Sequence, residues 1–479
     1  MNNSWSRTIA LTTTCAAALA GSLTIAGPAT AVTAHEPQTR GQAGGITPYA
    51  YRANTFGTKV VVNGVELKTV KDAQALQKCT RQLRGEIVKG SALSTDGLLP
   101  IGNDLIHISP STSRTQTYHT GRRYGVRGIN LIADITVGGK VANIQTPVLK
   151  IGGLQSVADS FVDAKAGGGG DRYGFASDFG FQGISLEFPA GTALPPEVQQ
   201  LLGIINQAAT PVNQVVDQVV QLLTQVGGTL EIPGLGSLGL GTKRGKTTGH
   251  SAESSAYALR IQVNSPLDGS KTVVQLGRAT SRISDPVPAG VFRSTMSALS
   301  VDLGGLLSFG GVSQTSIPCE GTNGNTRTKT IGSASIPGLV SLSDVQYAWS
   351  GAQSSRRKGK KTVAKATGFV QAKIGQVSVP AAGLVINGLS SRVEMRSKKE
   401  NAPVKSKAST NIGSITVNGS PIAPLQPGET RDIPGGVLRY AIRSNDNFYG
   451  TENEGLQIVL FQQNVVIDLA NVNGQIFFR

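Results

Sequence analysis

The residues that could carry out chemistry in this chain are few, and their spacing matches no common catalytic motif. The sequence contains only four histidines and three cysteines. It has no Gly-x-Ser-x-Gly nucleophile elbow, no His-Glu-x-x-His zinc motif and no phosphate-binding loop. A structural zinc site takes four ligands, and the two cysteines that follow the amino-terminal signal, Cys79 and Cys319, cannot supply them alone. The sequence therefore predicts a protein that is not an enzyme and that uses no metal and no cofactor.

Two polar groups of residues invite a chemical role but fit a structural one better. Asp104, His107 and His119 lie near one another in sequence, and hydrogen bonds within a loop explain them better than an acid–base or metal site. The acidic stretch from Asn445 to Glu454 does not have the spacing of an EF-hand loop. It predicts a solvated turn, with a weak Ca²⁺ site as the alternative.

Positive charge is the clearest surface signal. The formal net charge is +16, and its densest cluster consists of Arg356, Arg357, Lys358, Lys360 and Lys361. Other basic residues follow at Arg396, Lys398, Lys399, Lys405 and Lys407, and in the first half of the chain at Arg122, Arg123, Arg127, Lys243, Arg244 and Lys246. Outside a cell, the matching counter-charges are anionic wall polymers, anionic lipids and shed nucleic acid.

The composition of these clusters narrows the choice of partner. Specific nucleic-acid binding usually brings stacking aromatic residues, which the basic clusters lack, and aromatic residues make up 5% of the chain. The cluster Arg356–Lys361 is therefore a candidate binding site for an anionic cell-envelope polymer, and we predict no binding of specific nucleic acid. The plainer interpretation of the cluster is that its residues are hairpin tips that charge keeps soluble.

The elements that must position these residues are strands. The chain has 60 glycines and 22 prolines, and only 15% of its residues are charged. Short apolar runs are separated by Asn-Gly pairs, as at Asn63-Gly64, Asn387-Gly388 and Asn418-Gly419, and such pairs favour tight hairpin turns. These features predict an all-β fold of sandwiches or barrels.

Motifs recur in the same order in the two halves of the chain. Cys79 matches Cys319, Leu149–Ser156 matches Leu384–Ser391, and Glu231-Ile-Pro-Gly234 matches Asp432-Ile-Pro-Gly435. Between the first two matches, Gly128–Ile135 aligns with Gly368–Ile374. The order predicts two tandem β-sandwich-like units that arose by internal duplication. We place a signal peptide at 1–34, a disordered leader at 35–51, the first unit at 52–284, a linker at 285–291 and the second unit at 292–479.

The first unit carries an insertion at about 195–227 with a helical pattern. Apolar residues from Val198 to Val226 follow a heptad stripe, and Thr210-Pro211 has the composition of a helix start. The insertion is therefore predicted to form two helices or one kinked helix. A cap over one sheet is the plainer interpretation, and a docking or oligomerisation surface is the alternative.

The amino-terminal residues indicate export. A short region containing Arg7 precedes an apolar stretch and small residues that fit a cleavage site, which is typical of a secretory signal peptide, with a membrane anchor as the alternative. Removal of the signal leaves Cys79 and Cys319 as the only thiols, so we predict a disulfide between them. The mature chain contains no apolar stretch long enough to span a membrane. The predicted location is secreted, extracellular or loosely attached to the cell surface.

The second half resembles the choice-of-anchor P family of secreted Gram-positive proteins. The similarity lies in Thr367–Ser391, Ile412–Gly419, Asp432–Gly435, Leu456–Leu469 and Pro318–Thr322. It implies export, a β-rich surface domain and attachment through varying carboxyl-terminal anchors, with no established activity and no functional residues. The chain stops at Phe477-Phe478-Arg479 without a sorting motif or hydrophobic tail, and we therefore expect no covalent attachment to the wall.

These observations predict a secreted or surface-associated, non-enzymatic β protein with a structural or adhesive role. The first alternative is a binding module for an anionic cell-wall polymer or glycan. The second alternative is a hydrolase whose site is unlike known motifs.

Overall fold

The chain folds almost entirely into antiparallel strands, which confirms the all-β prediction. The computed structural model describes residues 45–62, 65–67, 74–83, 85–90, 106–141, 144–164, 172–206, 212–264, 271–303, 307–309, 314–336, 338–358, 361–399, 402–440 and 448–478. Residues 41–479 form one compact body. Among the described residues, neither helix is long and apolar enough to cross a bilayer.

The first β unit contains the elements up to residue 284. They are β1 (Ile46–Val62), β2 (Val65–Leu67), β3 (Ala75–Gln82), β4 (Glu86–Gly90), β5 (Ile106–Ile108), β6 (Ser111–Thr120), β7 (Arg123–Val137), β8 (Lys140–Val141), β9 (Ile144–Gln145), β10 (Val148–Asp163), β11 (Arg172–Gly180), β12 (Gly183–Glu187), α1 (Pro196–Ile205), α2 (Val212–Gln225), β13 (Thr229–Ile232), β14 (Gly236–Thr248), β15 (Ser251–Asn264) and β16 (Lys271–Ser284).

The second β unit contains the elements from residue 291 onward. They are β17 (Val291–Leu303), β18 (Leu307–Phe309), β19 (Arg327–Ile336), β20 (Val340–Lys358), β21 (Lys361–Val379), β22 (Leu384–Ser397), β23 (Lys405–Asn411), β24 (Ser414–Val417), β25 (Ser420–Ile422), β26 (Thr430–Ile433), β27 (Gly436–Arg439), β28 (Gly450–Asn453), β29 (Leu456–Leu460) and β30 (Val465–Phe477). One 3-10 turn, Pro380–Ala382, joins β21 to β22.

Within the described ranges, each β unit contains two seven-stranded sheets whose main strand order is the same in both units, and the first unit has in addition the two-stranded sheet β8-β9. Sheet 1A runs β13-β14-β15-β16-β1-β2, and sheet 2A runs β26-β27-β29-β30-β17-β18. Sheet 1B runs β11-β10-β7-β6-β4 with β12 also on β10, and sheet 2B runs β23-β22-β21-β20-β19 with β24 also on β22. This is the arrangement that a duplication would leave, although the duplication itself stays a prediction.

Matching irregularities identify equivalent positions in the two units. In sheet 1A, Gly277 interrupts the ladder between β1 and β16 without a change of register and has a φ of 63°. In sheet 2A, Ala470 does the same between β17 and β30 with a φ of 54°. In the B sheets, Gly153 and Gly388 are the skipped residues, and both have a positive φ.

These skipped residues correct the sequence alignment of Gly128–Ile135 with Gly368–Ile374. Across the skipped residue, Leu154 pairs with Ile132 in the first unit, and Leu389 pairs with Ile374 in the second. Ile132 is therefore equivalent to Ile374, which sets Gly128 opposite Val370 rather than Gly368. The sequence alignment of these two strands is thus displaced by two residues.

The two sheets of each β unit pack face to face around an apolar core. In the first unit the core includes Ile132 and Leu154 from sheet 1B and Ile261 and Leu276 from sheet 1A, all buried. In the second unit a larger core joins the two sheets in the same way. The alternation of buried and exposed residues along the strands produces these faces.

Two helices cover one end of the first core, as the helical insertion predicted. Val198 and Leu201 on α1 and Val219, Leu222 and Leu223 on α2 are buried in the core of the first unit. The helices contact each other and the strands β12, β13 and β14. Their apolar stripe therefore serves as a cap, and the docking surface proposed for the same segment stays a prediction. Residues 207–211, which contain the predicted second helix start, lie outside the described residues.

The predicted leader extends too far into the fold. Residues 35–44 lie outside the described residues, but β1 begins at Ile46. Tyr49, Ala50 and Tyr51 are buried, and Tyr51 pairs with Ile283 of β16. The first unit therefore begins before residue 52, because these residues contribute a strand and apolar side chains to the core.

The two β units are joined covalently at equivalent positions. Cys79, on β3, forms the predicted disulfide with Cys319, with the Cα atoms 5.5 Å apart. The predicted linker contributes Val287 to the small apolar cluster that surrounds these cysteines. Arg282 pairs with Glu320 across the junction, and Oγ of Ser284 donates to Oε2 of the same glutamate over 2.8 Å.

Candidate functional site

The solvent-facing side of sheet 2B brings several basic side chains onto one surface. Along β20 to β23, alternate residues point into the core, as Val370 does, and the others point to solvent. Cross-strand pairing lines up Ala352 with Thr367, Thr367 with Arg396, and Arg396 with Lys405. Four strands therefore present one continuous row of side chains to solvent.

These side chains line a groove of about 480 Å³. Its basic residues are Arg392, Arg396, Lys405 and Lys407, and the acidic residue in its lining is Glu394. Nε of Arg392 donates to Oε1 of Glu394 over 2.9 Å, and the guanidinium carbon lies 3.9 Å from the centroid of the Phe369 ring. One cation is thus paired inside the groove and stacked on its aromatic residue.

The other three cations of the groove are differently placed. Arg396, Lys405 and Lys407 are exposed, and no acidic side chain in the described part of the chain forms an ion pair with them. Glu394 pairs with Lys407 across the ladder between β22 and β23 as a backbone neighbour, without an ion pair. The groove therefore has positive charge available to a ligand.

The predicted basic cluster lies at the tip of the hairpin that β20 and β21 form. Arg356 is exposed and lies on the same sheet face as Ala352, four residues further along β20. Arg357, Lys358 and Lys361 belong to the strand ends, where Lys358 pairs with Lys361, while Lys360 lies outside the described residues. The hairpin thus extends the basic face beyond the groove, and the binding role of its five residues stays a prediction.

The equivalent face of the first unit, on sheet 1B, is closed and neutral at its centre. The hydroxyl of Tyr118 donates to Oδ1 of Asp159 over 2.9 Å, and Nη2 of Arg127 donates to Oδ2 over 2.7 Å. Burial, with a further contribution from the charge of Asp159, raises the pKa of Tyr118. Arg123 pairs with Asp163 over 2.8 Å, and Lys243 pairs with Asp178. Three of the basic residues that the sequence singled out in the first half are therefore matched with acids.

The matched registers show which substitutions separate the two faces. Ala352 stands where the first unit has Tyr118, and Glu394 stands where it has Asp159. The neighbours of the acid also differ: Phe369, Arg396 and Lys405 occupy the positions of Arg127, Phe161 and Gly174. The second unit has no tyrosine ring at this position, so the space is open, and Arg396 and Lys405 give it a different charge.

The remaining sequence candidates do not assemble into a site in the described part of the chain. His107 is exposed on β5, and His119 stacks on Tyr124 with ring centroids 4.2 Å apart. Asp104 and residues 445–447 lie outside the described residues, and Glu452 is exposed on β28. The described histidines, cysteines and acids contain no cluster that could hold a metal ion.

A smaller cleft of about 70 Å³ lies where the two β units meet. Nη1 of Arg52 donates to Oγ of Ser316 over 2.7 Å, and Nε of Arg293 donates to the carbonyl of Cys79. Burial lowers the pKa of both guanidinium groups, to about 10 for Arg293. Each arginine reaches from one unit to the other, so both hold the junction together.

Comparison with known proteins does not show which family the chain belongs to. No family model matches it, and no curated protein matches it. A solved structure titled "Crystal structure of lipopolysaccharide binding protein" aligns with 90% of this chain and 99% of its own, at 9% identity and a TM-score of 0.12. A likeness at that score carries no argument about fold or function.

Proposed function

We propose that this is an exported, non-enzymatic adhesive protein whose second β unit binds an anionic polymer of the cell envelope. The observation that carries the proposal is the groove on sheet 2B, where Arg396, Lys405 and Lys407 are exposed without an acidic partner among the described residues. On the equivalent face of the first unit, Arg123 and Arg127 are matched with Asp163 and Asp159. The disulfide supports an oxidising compartment, because such bonds persist outside the reducing cytosol.

Electrostatics explains why such a face would bind a polymer. A single exposed ion pair contributes little in water, because solvent and salt screen it. A linear polyanion contacts several cations at once, so the individual contributions act together and binding falls steeply as salt rises. Attachment of this kind is reversible and needs no membrane span.

The test is retention on immobilised dextran sulfate, with neutral dextran as the blank. We expect the double charge reversal Lys405→Glu and Lys407→Glu to weaken binding by at least about tenfold, because it replaces attraction by repulsion in the groove. The matched control is Arg244→Glu with Lys246→Glu. Both control residues are exposed on β14 of the first unit, and the double change alters the net charge equally. Equal retention of the two variants would show that net charge, and not the groove, attracts the polymer.

The hairpin cluster is tested in the same assay. Reversal of charge at Arg356, Arg357, Lys358, Lys360 and Lys361 is expected to lower the salt concentration that elutes the protein. Unchanged elution would remove this cluster from the binding surface and leave the groove alone. The hydrolase alternative has its own test, an activity screen on glycans, esters and peptides.

A further inference from the structure

We propose that the groove on sheet 2B binds an acidic carbohydrate, with a sugar ring above Ala352 and Thr367 and its anionic group against Arg396, Lys405 and Lys407. The inference rests on the proposed anion binding by this face and narrows the ligand from any polyanion to one that carries both hydroxyl groups and negative charge.

The second unit has open space where the first unit has an aromatic ring. In the first unit the ring of Tyr118 lies flat on β7, so that a Cβ atom added at Gly125 would overlap it. Ala352 replaces this tyrosine and Thr367 replaces this glycine at the equivalent positions. The groove beside Ala352 and Thr367 has a volume of about 480 Å³, which lies within the range of small-molecule sites.

The lining of the groove includes one carboxylate, that of Glu394. Glu394 shares the position of Asp159, which Tyr118 and Arg127 saturate in the first unit. In the second unit Arg392 takes Oε1 of Glu394, and the described residues supply no hydrogen-bond donor to Oε2. A carboxylate accepts hydrogen bonds from hydroxyl groups and repels closely spaced anions. Glu394 therefore favours a hydroxyl-bearing ligand over a ligand that is charged throughout.

Apolar and polar groups surround Glu394 together. The hydroxyl of Thr367 is exposed beside it, and the methyl group of Ala352 and the half-buried ring of Phe369 form an apolar part of the lining. Specific small-molecule sites combine an apolar surface with a few polar groups that fix orientation. A sugar ring offers apolar C–H groups and hydroxyl groups together, whereas inorganic polyphosphate offers only charge.

The experiment measures affinity for three soluble probes by isothermal titration. They are polygalacturonate, which carries a carboxylate on each sugar, inorganic polyphosphate, which carries no hydroxyl groups along its chain, and neutral dextran. We expect the full chain to bind polygalacturonate more tightly than polyphosphate at equal total charge and not to bind dextran. Tighter binding of polyphosphate would overturn the assignment to carbohydrate.

The decisive variant is Ala352→Tyr, which places an aromatic ring in the groove beside Thr367 and changes no charge. It is expected to weaken polygalacturonate binding by at least about tenfold, because the ring refills the groove. Thr330→Tyr is the control, since Thr330 is exposed on β19 of the same sheet and does not line the groove. Ala352→Leu introduces a smaller side chain and is expected to give an intermediate loss of affinity. It tests the same space if the Ala352→Tyr variant does not fold.

Glu394→Gln tests the carboxylate separately. The substitution keeps the size of the side chain and removes its charge. The affinity for polyphosphate is therefore expected to rise, and the ratio of the affinity for polygalacturonate to that for polyphosphate is expected to fall. An unchanged preference would exclude Glu394 as the discriminating group.

If Ala352→Tyr binds polygalacturonate like wild type while the reversal at Lys405 and Lys407 abolishes binding, the proposed sugar site is wrong and the charge-driven adhesion stands. If neither variant loses affinity, the adhesion proposal fails as well.

Discussion

Replacement of Cys79 and Cys319 by alanine is expected to lower the free energy of unfolding by about 5 kcal/mol, because the disulfide closes a loop of 240 residues. In the chain-entropy account, so long a loop greatly restricts the unfolded ensemble, and its release favours the unfolded state. Both cysteines are buried, so the variants also lose some apolar contact. Urea unfolding monitored by tryptophan fluorescence measures the difference.

The single variants separate the bond from the packing of its atoms. If the bond is responsible, Cys79→Ala and Cys319→Ala each lose nearly as much stability as the double variant, and the effects do not add. Reduction of the wild-type protein is then expected to reproduce the same loss. Additive small losses, with no response to reductant, would show that the sulfur atoms contribute only through packing.

Gly277→Ala is expected to destabilise the first unit by about 2–4 kcal/mol, which combines backbone strain with overpacking. Gly277 has a φ of 63°, a conformation that an L side chain adopts only at a cost. A Cβ atom at this position would also overlap Cδ2 of Leu154 and lie 2.9 Å from Oγ of Ser156. Thermal unfolding of the variant gives the measurement.

The second unit supplies the natural control for this change. Ala470 lies at the equivalent interruption of its ladder with a φ of 54° and is fully buried, so its methyl group is already accommodated. Ala470→Gly is expected to stay within about 1 kcal/mol of wild type, because relief of strain offsets the lost methyl contact and the freer unfolded chain. Equal effects of the two substitutions would show that strain and overpacking at residue 277 do not account for the loss in Gly277→Ala.

Much of the architecture follows from signals that are local in the sequence. Apolar runs between glycine turns predict the strands, and the ordered motifs predict where the second unit begins. The pairing of Cys79 with Cys319 follows from their matching positions and from the lack of any other thiol after removal of the signal. The heptad stripe from Val198 to Val226 predicts the helical cap, because its apolar period fits a helix that covers a core.

Other features depend on contacts that no local pattern records. A shift of two residues keeps each side chain on the same face of a strand, so apolar alternation cannot distinguish Gly368 from Val370 as the partner of Gly128. The start of β1 was hidden by Pro48, which discourages a strand assignment although an edge or terminal position tolerates it. In the structure β1 pairs with β16, and Tyr49 and Tyr51 are buried, so the strand begins before residue 52.

The groove shows a similar division. The sequence reveals that Arg396, Lys405 and Lys407 are basic, and the spacing of two between the lysines is compatible with one face of a strand. It does not reveal that Ala352 stands in the place of Tyr118, because this requires the register of β20 against β21 and of β6 against β7. A small residue without charge gives no motif, yet it creates the concavity.

The disulfide also determines how the chain would respond to a pulling force. A load applied to the two ends of the folded body passes from Cys79 to Cys319 through the sulfur atoms and bypasses everything between them. That enclosed stretch of 240 residues corresponds to roughly 800 Å of extended chain, at about 3.5 Å per residue. While the bond is intact this length cannot be released, and the molecule can lengthen only from the segments outside the loop.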